Sequence, residues 1–347
     1  MKSMPFYILI AIICSGFISC TSSSSSVSEY NLPLKPYKLG EYLQVENANS
    51  LITVNRSDEQ TGLVRIELST ETLSVLDPSA KEARDIHMSS GKITYRVDQE
   101  IRLWNNKPIS LMGGVSRLRT FNWMKTFGRI TYENLKLESR SLTFREDGKV
   151  ISDSEIPGSG RAELAFASHP DCLVFQNSEG LFWGYFGNES EGIKESWPIE
   201  KGKAGAYVTA REVNGTLSVA YFDDDAGILK LAKKSNLAET FATDVVDGTS
   251  GQTYRGMDIA IFNDHGEPGL IYLDGWALKT RLARFFNGKW KSIELPLRGA
   301  VGFYNQIIAE NDETITIGSH NFRTQIDDYH QIFENLATFK LDIRGRI

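Results

Sequence analysis

Apolar residues along this chain occur in short alternating or continuous stretches, and polar turns separate them. Side chains of a β-strand point to opposite faces with a period of two, so this pattern is typical of strands. No stretch of helical periodicity stands out after position 30. The pattern therefore predicts an all-β protein.

One combination of strand and turn recurs along the chain. An apolar strand contains Tyr221 and ends at Asp223, and Tyr272 and Asp274 occupy the same places in a later strand. Similar apolar strands at 173–176 and 315–319 extend the series at intervals of about 45 to 51 residues, a period that suits four short strands with their turns. The repeat therefore predicts the blades of a β-propeller.

The clearest unit covers 256–296. Its predicted strands are joined by a polar turn at 263–268 and by Asn287-Gly288, a dipeptide typical of two-residue hairpins. A strand ending in Tyr-x-Asp and a Gly-x-Trp hairpin make the unit resemble the repeats of the sialidase-like and BNR-like propeller families. That resemblance implies a blade of four antiparallel strands.

Extending the period predicts a single β-propeller of seven four-stranded blades, with six or eight blades as alternatives. Two β-sandwich domains are the competing architecture. The seven predicted units are 38–77, 83–115, 117–157, 162–199, 205–246, 256–296 and 304–344.

The N-terminal segment has the features of an export signal. Lys2 precedes an apolar run at 6–14, which is shorter than the roughly 20 residues that a membrane-spanning helix needs. The sequence Phe17-Ile18-Ser19-Cys20 then resembles the lipobox of bacterial lipoproteins. The resemblance implies cleavage before Cys20 and lipidation of that residue; an ordinary cleaved signal is the alternative.

This interpretation divides the chain into a signal peptide at 1–20, a serine-rich tether at 21–29 and a propeller domain at 30–347. It predicts a lipid-anchored protein of the bacterial cell envelope. Thr21, in place of an aspartate after the cysteine, is compatible with the outer membrane, on its periplasmic or its surface face.

Composition narrows the functional classes. The 347 residues include 38 basic and 44 acidic side chains, a net charge of −6, which disfavours a nucleic acid as partner because such binding relies on basic side chains. Three cysteines do not make a disulfide scaffold. Cys172 lies in an apolar stretch, and we expect it to be a buried thiol.

The usual catalytic motifs are absent from the sequence. It contains no phosphate-binding loop, no nucleophile elbow and no His-Glu-x-x-His zinc motif. The Ser-x-Asp-x-Gly-x-Thr-Trp motif of the sialidase-like family is also missing, so no catalytic residue or cofactor is predicted. Asp223 and Asp225 are weak candidates for calcium ligands, and a solvated β-turn is the alternative.

Basic residues stand at or near the start of each predicted unit, where they would surround one mouth of the central channel. Such a ring would bind carboxylate or phosphate groups. Trp276, in a predicted loop, is the best candidate for an exposed aromatic contact. The basic residues are Lys38, Arg84, Arg117, Arg119, Arg161, Lys203, Arg255 and Arg298.

The sequence therefore predicts an envelope lipoprotein whose propeller binds a protein partner or a glycan. The alternatives are a carbohydrate-active hydrolase or lyase and an assembly scaffold. Fold alone does not choose among them.

Overall fold

Four-stranded antiparallel sheets account for nearly all the regular structure. A computed structural model describes residues 27–32, 43–57, 59–106, 108–109, 111, 113–157, 164–166, 172–202, 204–235, 240–248, 255–297, 300–324 and 331–344. These residues form seven sheets of four strands each. The all-β prediction is confirmed, and the number of blades is seven.

The strands follow one another along the chain as consecutive meanders, apart from the first strand. A 3₁₀ turn at Pro78–Ala80 connects the first two sheets along the chain. The first half contains β1 (Val27–Leu32), β2 (Gln44–Asn47), β3 (Ser50–Asn55), β4 (Gly62–Glu67), β5 (Thr72–Asp77), β6 (Arg84–Ser89), β7 (Lys92–Val97), β8 (Glu100–Leu103), β9 (Pro108–Ile109), β10 (Val115–Trp123), β11 (Phe127–Asn134), β12 (Ser139–Arg145) and β13 (Val150–Glu155). The second half contains β14 (Leu164–Phe166), β15 (Cys172–Asn177), β16 (Gly180–Phe186), β17 (Ile193–Lys201), β18 (Ala204–Val213), β19 (Thr216–Asp223), β20 (Ile228–Lys234), β21 (Ala242–Asp247), β22 (Arg255–Asp264), β23 (Glu267–Asp274), β24 (Lys279–Phe286), β25 (Lys289–Glu294), β26 (Ala300–Glu310), β27 (Thr314–Thr324) and β28 (Gln331–Asp342).

The blades form a closed ring. Blades 1 to 6 begin with β2, β6, β10, β14, β18 and β22, and blade 7 begins with β26. These first strands contact one another in chain order, and β26 contacts β2. They therefore surround the central channel, while the fourth strands form the outer rim.

Blade 7 is completed from the opposite end of the chain. Its fourth strand is β1, which pairs antiparallel with β28 so that Val27 lies opposite Leu341 and Leu32 opposite Leu336. The strand thus begins at Val27, three residues before the predicted start of the propeller, and the predicted unit 304–344 contributes only three strands. Pairing the first and last parts of the chain closes the ring.

The alternation of strand direction gives the propeller two distinct faces. First strands begin at the face that also carries the turns between second and third strands, as the pairing of Arg255 with Asp274 illustrates. We call this the top face. The bottom face carries the turns between first and second strands and between third and fourth strands. Val27 lies at this face because its strand partner Leu341 also pairs with Ile315, which is near the start of the second strand of blade 7.

Apolar side chains fill the junctions between neighbouring blades, and each of the seven junctions has its own cluster among the described residues. Between blades 6 and 7, for example, Phe262 and Ile271 pack with Ile317 and Phe339. Cys172 is a buried thiol in the cluster between blades 4 and 5, as predicted. This burial is the main stabilising contribution to the fold.

A polar contact also recurs between blades. A tyrosine on the second strand of one blade donates its hydroxyl to a carboxylate on, or at the end of, the fourth strand of the preceding blade. Tyr95 lies 2.5 Å from Asp77, and Tyr221 bonds to Glu200 in the same way. Tyr272 bonds to Asp247, which confirms the alignment of Tyr221 with Tyr272.

Candidate functional site

The predicted basic ring is only partly described by the structure. Arg84, the first residue of β6, and Arg117, near the start of β10, are exposed on neighbouring blades. Arg255 is the first residue of β22, and the structure describes its backbone but not its side chain. Cys20, Lys38, Arg161, Lys203 and Arg298 lie outside the described residues.

Arg119, unlike the exposed Arg84 and Arg117 of the predicted ring, has a buried side chain. Its guanidinium lies 2.9 Å from the carboxylate of Glu133, and both side chains are buried. Ser116 donates a second hydrogen bond to the same carboxylate. Arg119 therefore joins the first and second strands of blade 3 and has a charge partner within its own blade.

The calcium candidates Asp223 and Asp225 belong to a tight turn between β19 and β20. One Asp223 oxygen accepts the backbone N–H groups of Asp225 and Ala226, and the carboxylate lies 2.7 Å from Lys230. Burial favours a higher pKa for Asp223, but the hydrogen bonds from Lys230 and the backbone lower it overall. In the described part of the chain, no group of three or more His, Cys, Asp or Glu side chains is arranged to hold a metal ion.

Trp276 lies in the corresponding turn of blade 6, between β23 and β24. Asp274 organises that turn through bonds from the N–H groups of Trp276 and Ala277, at 3.2 and 3.1 Å. The indole projects from this turn and is 76% exposed, and Leu278 is 39% exposed. Trp276 is thus an exposed aromatic residue on the top face.

The turns of blades 5 and 6 share one backbone design but differ in their side chains. Trp276 takes the place of Asp225, and Leu278 takes the place of Gly227. Both Gly227 and Leu278 have positive φ angles, +70° and +52°. A leucine with this conformation is strained, whereas glycine adopts it without cost. The blade 6 turn therefore combines an exposed tryptophan with a strained, partly exposed leucine.

A second apolar turn lies between β11 and β12 of blade 3, at a place that the sequence pattern does not single out. Leu135 and Leu137 are 50% and 42% exposed, and Leu137 also has a positive φ of +64°. Asn134 holds the turn by accepting the N–H groups of Lys136 and Glu138. The available signal was a Leu-Lys-Leu sequence in a turn that an asparagine initiates.

The first strands carry a repeated bulge near the top face. In blades 5, 6 and 7 a glycine with positive φ stands two residues before another left-handed residue, in the pairs Gly205 with Tyr207, Gly256 with Asp258 and Gly302 with Tyr304. Pairing shifts register at each bulge. Such bulges redirect side chains and increase strand twist. The sequence signal was a Gly-x-Tyr or Gly-x-Asp pattern at the spacing of the blades.

The described residues include no helix long and apolar enough to cross a membrane. No protein-family model matches the chain, and no curated protein matches it in sequence.

Solved structures with the same architecture are similar to this chain. The β-propeller domain of Myceliophteria thermophila Cps50 (Swd1) is 10% identical, with 91% of this chain and 99% of that one covered and a TM-score of 0.59. Kluyveromyces lactis Hsv2 is 12% identical over 85% and 96% of the two chains, with a TM-score of 0.53. The AfRom2 CNH domain is 9% identical over 90% and 98%, with a TM-score of 0.54. At these identities the similarity establishes the propeller fold.

Proposed function

We propose that this protein is a lipid-anchored binding propeller of the bacterial cell envelope that holds a partner protein on its top face. The observation that carries the proposal is the turn at 274–279, which presents Trp276 and Leu278 where the equivalent turn of blade 5 has Asp225 and Gly227. Exposed tryptophan is the residue type most enriched among the dominant contacts of protein interfaces. A strained, exposed apolar turn does not stabilise the fold, so a binding role accounts for it.

Lipidation at Cys20, a surface or periplasmic location and the likeness to sialidase-like and BNR-like repeats belong to the same proposal. The likeness concerns the repeat only, because the catalytic motif of that family is missing from the sequence. The propeller fold is shared by Cps50, Hsv2 and the AfRom2 CNH domain, which are different proteins. A fold that hosts different functions is consistent with a binding scaffold whose surface turns set its partner.

The direction of β1 supports this arrangement. Val27, the first residue of β1, lies at the bottom face, and seven residue steps separate it from Cys20. Fully extended, those steps span at most about 24 Å. An anchor at Cys20 therefore keeps the bottom face close to the membrane and leaves the top face directed away from it.

Photo-crosslinking tests the binding role. A photoreactive phenylalanine analogue at position 276, in cells that make the full chain, should form an adduct with a discrete protein. The same analogue at Asp312, an exposed bottom-face residue, should form none. Equal labelling at both positions, or no protein adduct at 276, would contradict the proposal.

Two further measurements test the lipid anchor and the glycan alternative. Incorporation of an alkyne-labelled fatty acid should be lost in Cys20→Ala, and that variant should leave the membrane fraction. Tryptophan also stacks on sugar rings, so the glycan alternative is tested by a glycan array. Saturable glycan binding that Trp276→Asp abolishes, without a protein adduct, would favour that alternative.

A further inference from the structure

The two apolar turns lie far apart on the top face. The turn with Leu135 and Leu137 belongs to blade 3, and the turn with Trp276 belongs to blade 6. Because the blades follow chain order around a closed ring of seven, these turns are on nearly opposite sides of the channel mouth. A partner that contacts both must therefore cover the mouth.

The remaining described turns between second and third strands are acidic. Blade 1 presents Glu59, blade 2 Asp98 and blade 4 Glu179, and all three side chains are exposed. Blade 5 presents Asp224 and Asp225, also exposed. In the described turns of blades 1 to 6, the basic residues are Arg56, which is half-buried, and Lys136, beside Glu138 in the blade 3 turn.

Together the described turns form a patterned surface, with apolar turns on blades 3 and 6 and acidic turns on blades 1, 2, 4 and 5. Arg84 and Arg117 lie inside this ring, because first strands are closer to the channel than the turns of the second and third strands. Protein interfaces have this organisation, with apolar contacts that supply affinity and charged groups that guide association.

We propose that the partner is a protein whose contact surface carries apolar side chains surrounded by lysine and arginine. This inference rests on the proposed function and specifies the chemistry of the partner. The acidic turns complement basic groups, and they repel an anionic bilayer, to which basic rather than acidic surfaces are attracted. The short tether to the bottom face also keeps these turns away from the anchoring membrane.

Matched peptides test the charge preference directly. The full-length protein in mild detergent is titrated with two sets of fluorescent peptides that share the same leucine and tryptophan positions. One set has lysine and arginine at the polar positions, and the other has aspartate and glutamate. We expect the basic set to bind at least tenfold more tightly at 50 mM salt. The preference should shrink as salt increases to 500 mM, because exposed charges are screened.

Two variants separate the contributions. The triple variant Glu59→Gln, Asp98→Asn, Glu179→Gln should reduce the preference to less than threefold. Its control, Glu71→Gln, Glu212→Gln, Asp312→Asn, makes the same charge change at exposed bottom-face positions and should leave the preference intact. Trp276→Asp with Leu278→Gly should weaken binding of the basic set at least tenfold, including at high salt.

Two results would overturn the inference. One is equal or tighter binding of the acidic set. The other is binding to vesicles with 30% phosphatidylglycerol that the Trp276 and Leu278 changes abolish. Failure of the proposed function is a separate outcome, in which position 276 forms no protein adduct in cells. An adduct whose crosslinked segment is acidic would leave the binding function standing and refute the basic partner.

Discussion

The contact between Tyr272 and Asp247 gives a quantitative test of how the blades are joined. The Tyr272 ring is fully buried, and its hydroxyl donates to the Asp247 carboxylate of the preceding blade. Arg281 and Ser292 donate to the same carboxylate at 3.1 and 3.0 Å. The substitution Tyr272→Phe removes one donor to this carboxylate, together with a 2.6 Å contact between the Tyr272 and Ser292 hydroxyls, and keeps the ring in its cluster.

The expected loss follows from the bond that is removed. A hydrogen bond to a charged group contributes about 1.5 to 3 kcal/mol, and Asp247 keeps its contacts with Arg281 and Ser292. We therefore expect the free energy of unfolding to fall by about 2 kcal/mol. For a domain of this size, that corresponds to a decrease in Tm of about 3 °C.

Tyr132→Phe is the matched control. Tyr132 donates to Asp153 at 2.9 Å, but both residues belong to blade 3. Both variants should lower Tm in thermal unfolding followed by circular dichroism. In hydrogen exchange, only Tyr272→Phe should reduce protection in two adjacent blades, at β21 and β23. An unchanged Tm for Tyr272→Phe, or loss of protection confined to blade 6, would refute the idea that this bond joins the blades.

Three further predictions follow from individual side chains. Trp276→Asp should leave the free energy of unfolding within about 0.5 kcal/mol of the parent, as chemical denaturation would measure, because the indole is exposed; a larger loss would mean that it packs in the fold. Gly256→Ala should lower Tm by several degrees, because its φ is +105° and a Cβ would lie 2.8 Å from Leu229; an unchanged Tm would contradict the strained bulge. The folded pKa of Asp223 is lowered, so its ionised form stabilises the protein above the unfolded pKa of about 3.9, and this contribution is lost as pH falls through the folded pKa. Asp223→Asn should therefore be less stable than the parent at neutral pH and differ less from it below about pH 4; a pH-independent difference would argue against the Lys230 contact.

The candidate site was partly predictable. The Tyr-x-Asp repeat placed Trp276 directly after a strand, in a turn that Asp274 organises, and the residue is exposed there. The pattern does not single out Leu135 and Leu137, because apolar residues in a short segment are equally typical of the end of a strand. The pattern predicts one environment for Arg117 and Arg119. In the fold, Arg117 is the strand partner of Glu133, whereas Arg119 lies at a register shift in β10 and its guanidinium reaches the Glu133 carboxylate.

The sequence by itself determined the class of fold and favoured seven blades, while six or eight stayed open until the seven sheets were seen. Both the period of two within strands and the period near 47 residues between units can be read directly from the order of residues. Because each unit must bury its apolar faces against the next, these periods imply a series of packed blades. Only the tertiary structure decided how the ring closes and which turns share a face. Val27 pairs with Leu341 from the far end of the chain, and no local pattern encodes that partner. The pattern of charged and apolar turns on the top face likewise combines the described turns of blades 1 to 6, which only the closed ring brings together.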